Sequence, residues 1–157
     1  MGDDFEPIHE FNMRITFNQC HELVPKLAEL KFHWIEEPVD RWGRIRRGPD
    51  DHPEDSEKAI DWNIKIREAA EGVPMSGGNT MAERSEFKDW IERDAFDFVQ
   101  LDCDTTGLIE GWYIAQYVHL QGKPCITHNW HGDFTSMSNI RLVAAIPNYQ
   151  VLEPCRH

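Results

Sequence analysis

Short apolar runs of strand length alternate along the chain with stretches of helical period. The first run is NMRITF at 12–17, followed by the helical pattern CHELVPKLAEL, in which Pro25 falls early enough to be tolerated. The second is FHWI at 32–35, then a long polar loop, DRWGRIRRGPDDHPEDSEK, and the helix AIDWNIKIREAAEG with Gly72 as its stop. The third is VPMS at 73–76, then GGNT and the helix AERSEFKDWIERD. The fourth is FDFVQL at 96–101, then DCDTTG and the helix LIEGWYIAQYVHLQG. The fifth is PCIT at 124–127, then HNWHGDFTS and the helix MSNIRLVAAI; YQVLE at 149–153 closes the series.

Strands that alternate with helices predict an α/β fold with a parallel sheet and right-handed crossovers. In such a sheet every strand ends on the same side, where chemistry is usually built. The expected ends carry Asn18, Glu36 with Glu37, Asn79, Asp102 with Asp104, His128 with His131, and Glu153. The opposite ends are bland. The expectation is one polar mouth serving one small-molecule pocket.

The 157 residues suffice for one domain with a core, and 40% hydrophobic content marks a globular chain. The net charge of −12, with no dominant basic run, argues against nucleic acid or an anionic membrane as partner. The four cysteines, Cys20, Cys103, Cys125 and Cys155, form no C-x-x-C pair and read as buried free thiols of a reducing compartment. The acidic start MGDDFEPIHEF has no apolar signal-like core, and no apolar stretch is long enough to cross a bilayer. A cytoplasmic protein is the expectation.

Several of these residues together resemble a known family. Trp34-Ile35-Glu36-Glu37-Pro38 resembles the fourth-strand signature of the enolase superfamily, and QLDCDTTGLIEGW at 100–112 resembles its sixth-strand segment. His128 in CITHNW and Glu153 in VLEP fall where the mandelate racemase subgroup has its seventh-strand His and eighth-strand Glu. The chain is therefore similar to mandelate racemase/muconate lactonizing enzyme-like proteins. The resemblance implies a partial TIM-type barrel of about six parallel strands, the family's third to eighth. Residues 1–157 would form a partial C-terminal barrel domain, without the capping domain and first barrel strands. Open sheet edges then imply self-association.

The same resemblance implies chemistry. The family removes the proton α to a carboxylate and stabilises the product with Mg²⁺ held by three strand-end acids. Glu36 matches one of them. Thr16-Phe17-Asn18 stands where the family has Asp-x-Asn, and Asn79 where it has Glu, so Glu36, Asn79, Asn18 and Thr16 form the expected ligand set. His128 and Asp102 match the His-Asp dyad that moves the proton, and Glu153 matches the acid that binds the substrate carboxylate. The implied reaction is acid-sugar dehydration or racemisation of a hydroxy acid. Dehydration is favoured because the second-strand Lys of racemases has no counterpart.

The alternative is a catalytically inactive remnant acting, if at all, through self-association; the neutral residues at Thr16 and Asn79 point that way. Glu37 reads as a supporting or surface group, since Pro38 turns the chain away. Asp104 and His131 read as solvated loop residues, with contact to substrate as the other reading. DDHPEDSEK reads as a solvated insertion. Trp62, Ile66, Phe87, Trp90, Trp112 and Tyr113 read as the layer that packs on the sheet.

Overall fold

In a computed structural model, residues 5–41, 53 and 55–153 are described. Most of the polar loop after Asp40, with His52, and also Cys155 lie outside them. The chain divides into two compact units: residues 1–77 with 94–96, and residues 78–93 with 97–157.

The first unit contains β1 (Ile8–Glu10), α1 (Phe17–Glu29), β2 (Trp34–Glu36), α2 (Ser56–Ala69) and β3 (Met75–Gly77). β1 pairs with β2, and β2 with β3, both parallel. Ile35 and Met75 are wholly buried, as strands covered on both faces require. Helix α1 starts at a capping box: Thr16 Oγ1 accepts from the Gln19 N–H while the Gln19 side chain accepts from the Thr16 N–H. Its buried residues Cys20, Val24 and Leu27 recur at helical spacing. Helix α2 is capped by the Asp55 carboxylate, which accepts from Lys58 N–H at 2.8 Å. The two helices pack on each other, with Phe17 and Trp62 rings 4.9 Å apart.

The second unit contains α3 (Arg84–Glu92), β4 (Phe98–Leu101), α4 (Cys103–Thr106), α5 (Leu108–Leu120), β5 (Cys125–Thr127), α6 (Asp133–Ala145) and β6 (Tyr149–Leu152). β5 pairs in parallel with both β4 and β6, with a register shift between Cys125 and Ile126. Val99, Leu101, Ile114, Leu142 and Phe87 form its buried interior.

Two adjacent glycines are explained by close approach. A Cβ on Gly77 would lie 2.3 Å from the Phe96 ring. Gly78 has φ +112°, and its Cβ would lie 2.7 Å from the Phe87 ring.

The α/β reading holds: six strands alternate with helices, every described pairing is parallel, and within each unit strand order follows chain order. One strand is misplaced. The 12–17 run alternates like a strand, but β1 is Ile8–Glu10. Asn12 and Met13 have φ of 50° and 53°, so they turn the chain, and Thr16 begins a helix. Trp112 and Tyr113 also depart from expectation. They are exposed and meet edge to face, while Trp62, Ile66, Phe87 and Trp90 are buried as expected.

Candidate active site

The second unit brings three predicted residues together. Asp102 follows β4 and caps α4: its Oδ1 accepts from Asp104 N–H at 2.8 Å. Its Oδ2 lies 2.7 Å from His128 Nδ1, just past β5. Asp102 is 1% exposed and the His128 side chain 16%. A carboxylate accepts only, so Nδ1 carries the proton and Nε2 is left with a lone pair. A neutral His128 in this tautomer is a base at Nε2. Charged, it is stabilised by the buried carboxylate.

Two amides hold this pair in place. Asn139 on α6 donates from Nδ2 to His128 O at 2.8 Å, and its Oδ1 accepts from Cys103 N–H at 3.2 Å. It is fully buried. One side chain thus ties the backbone beside Asp102 to the backbone of His128, which sequence reading had no way to single out in mid-helix. Asn129 links the third residue: its N–H donates to Glu153 Oε2 at 2.9 Å, and its Nδ2 to Ser136 Oγ at 2.9 Å. Glu153 therefore sits at the end of β6, one backbone step from His128.

Asp104 and His131 are not simply solvated. His131 Nε2 lies 3.4 Å from Asp104 Oδ2 and 3.7 Å from Asp102 Oδ2. Thr135 Oγ1 donates to Asp104 Oδ1 at 3.1 Å. Asn79, in the same unit, is 7% exposed.

The first unit holds a second group. Glu36 ends β2 and is 8% exposed; its register partner is Glu10 at the end of β1. Their carboxyls share a hydrogen bond. Loss of hydration comes first, then this bond and the repulsion from Glu36, with a smaller push from Glu37; together they hold the Glu10 carboxyl above the usual carboxylate range. The Asn12 N–H donates to Glu10 and opposes the shift without reversing it. The remainder of Glu10 is exposed.

Sequence reading missed Glu10. It placed the family's acid-x-Asn pattern at Thr16-Phe17-Asn18; the structure has Glu10-Phe11-Asn12 at a strand end instead. Thr16 spends its hydroxyl on the helix cap, and Asn18 is exposed in the first turn of α1. Neither is a strand-end group.

Glu37 is the supporting group of its two expected readings and not the surface one. It is 1% exposed, at φ 44°, and pairs with Arg41, with Oε2 3.0 Å from Nη1 and Oε1 3.1 Å from Nη2. Pro38 does turn the chain, and the turn returns Arg41 to Glu37.

Mg²⁺ fits the donor chemistry of Glu10 and Glu36. Two neighbouring carboxyls are hard oxygen donors that a divalent cation would hold as anions. Among the described residues no cluster of three or more His, Cys, Asp or Glu is placed to bind a metal.

A sequence model described as enolase C-terminal domain-like matches residues 1–156, and the chain belongs to this family. It is 27% identical over 147 residues to arabinonate dehydratase of Saccharolobus solfataricus, covering 93% of this chain and 35% of that protein. It is 24% identical over 159 residues to a D-galactonate dehydratase family member of Salmonella virchow, covering 98% of this chain and 33% of that one. The chain thus spans about a third of the length of these curated relatives. Among solved structures it resembles the 3,6-anhydro-D-galactonate cycloisomerase of Zobellia galactanivorans. The TM-score is 0.79 at 24% identity, over 99% of this chain and 40% of that one. A Bradyrhizobium enolase complexed with magnesium and mandelic acid gives 0.77 at 19% identity, over 98% and 37%. These likenesses support the partial-barrel reading of the α/β fold.

Proposed function

We propose that the chain carries the proton-abstracting machinery of an acid-sugar dehydratase. The observation that carries this reading is the 2.7 Å contact between His128 Nδ1 and the buried Asp102 Oδ2. It fixes one tautomer and leaves Nε2 as the base. His128 takes the proton α to the substrate carboxylate; the protonated His128 then gives a proton to the β-hydroxyl as its C–O bond breaks, so that water departs and an enol is left. The names of the curated relatives, arabinonate dehydratase and a D-galactonate dehydratase family member, favour an acid sugar as substrate. Glu153, held by the Asn129 N–H, is the group proposed to meet the substrate carboxylate.

Mg²⁺ would be held by Glu36 and Glu10, and when bound it supplies positive charge to the oxyanion that forms. This reading replaces Thr16 and Asn18 by Glu10 in the proposed ligand set, which then lies within the first unit. Arg41 keeps the neighbouring Glu37 charge compensated, so that it does not compete as a further free acid.

The test is solvent-deuterium exchange at the α-carbon of arabinonate and galactonate with Mg²⁺ present. Exchange lost in both His128→Asn and Glu36→Gln would tie the two groups to one reaction. One observation favours a second reading, a catalytically silent chain: a neutral amide, Asn79, stands where the family carries an acid. In that case no variant and no wild-type protein shows exchange. Self-association belongs to the proposal under either reading, since Ile8 on β1 and Tyr149 on β6 are exposed apolar residues on the first and last strands.

A further inference from the structure

Asp102 is approached by two histidines on one oxygen. Its Oδ1 is taken by the Asp104 N–H, while Oδ2 faces His128 Nδ1 at 2.7 Å and His131 Nε2 at 3.7 Å. The same His131 Nε2 also lies 3.4 Å from Asp104 Oδ2, and Thr135, itself buried, fixes that carboxylate through Oδ1. The His131 side chain is 46% exposed, whereas the His128 side chain is 16% exposed.

We infer that His131 is a positioning residue for the proton-transfer pair: it shares Asp102 with His128 and sets the pH at which His128 gives up its proton. The inference rests on the proposed role of His128 as the base. The physics has one sign. A protonated His131 draws on the Asp102 carboxylate and so weakens the hold of that carboxylate on a charged His128. It also repels the second positive charge directly. Both effects make His128 a neutral base at lower pH than the dyad alone would. The charged groups that meet His131 are Asp102 and Asp104 from the β4–α4 end; His128 from the β5 end meets the same Asp102 oxygen, Asp133 opens α6, and Glu153 past β6 is held by the Asn129 N–H.

The test is a titration of both imidazoles followed by their NMR ring signals, in the full chain and without substrate. His131→Gln should raise the midpoint of the His128 curve by about half a pH unit. His131→Lys places a lasting cation near the same carboxylate and should lower the midpoint below that of His131→Gln. A His128 curve that is the same in wild type, His131→Gln and His131→Lys would overturn the inference. The readout needs no turnover. Coupled titrations without deuterium exchange would sink the proposed function and leave the coupling standing; exchange with uncoupled titrations would do the reverse.

Discussion

Glu10 and Glu36 face each other across the register of two parallel strands and share a hydrogen bond between carboxyls. Two acids so placed cannot both ionise cheaply unless a cation joins them. The folded chain therefore holds the Glu10 proton to higher pH than the unfolded chain does. A group with its folded pKa raised favours the fold while protonated. That contribution is present below the unfolded carboxylate value and is lost as pH rises toward the folded one. At neutral pH in metal-free buffer, Glu10→Gln should raise the melting temperature, by about 3 °C for each kcal/mol of strain relieved. Millimolar Mg²⁺ should raise it in wild type and not in Glu10→Gln or Glu36→Gln. Differential scanning calorimetry measures both.

Glu37 and Arg41 form a buried pair, with side chains 1% and 8% exposed. Removing Arg41 alone takes away the cation that faces a buried carboxylate. Arg41→Met should cost about 3–5 kcal/mol in denaturant unfolding. The double variant Arg41→Met with Glu37→Gln should recover much of that loss, and a double-mutant cycle gives the coupling.

Asn139 clamps the two backbones of the dyad, and it does so with both ends of its amide. Asn139→Leu keeps the volume but leaves the His128 carbonyl and Cys103 N–H without their partner. A loss of about 2–4 kcal/mol is expected from two orphaned backbone groups. The His128 ring signals should broaden as the pair loses its fixed spacing.

The dyad was legible because each member closes an apolar run: FVQL ends at Asp102 and CIT at His128. Parallel pairing of β4 with β5 then sets the two ends side by side. Glu10 was not legible. IHE is a three-residue strand among acids, while NMRITF imitates a longer strand through alternation alone. What decides between them is backbone conformation, two successive left-handed residues at Asn12 and Met13, and that leaves no trace in hydrophobic pattern. The partner of Glu37 was hidden because it comes from beyond a proline turn. Asn139 was hidden because its function lies in contacts 11 and 36 residues away.

Burial pushes the Cys103 and Cys125 thiols up to about 12, and raises Cys20 as well. Repulsion from Asp102 adds to the shift at Cys103, and a hydrogen bond from Asn148 opposes it at Cys125. The thiolate is the reactive form. At pH 8 these three cysteines should resist iodoacetamide in the folded protein and react in denaturant, as read by mass spectrometry of peptides. Rapid native labelling of Cys103 would mean that the α4 end opens far more readily than its packing shows.

The most direct measurement is α-deuterium incorporation into arabinonate and galactonate in D₂O, with Mg²⁺, followed by NMR. Incorporation by the wild-type chain that falls at least about a hundredfold in His128→Asn is the expected result. Incorporation that persists undiminished in that variant, or a wild-type chain that exchanges nothing, would contradict the assignment of His128 as the base.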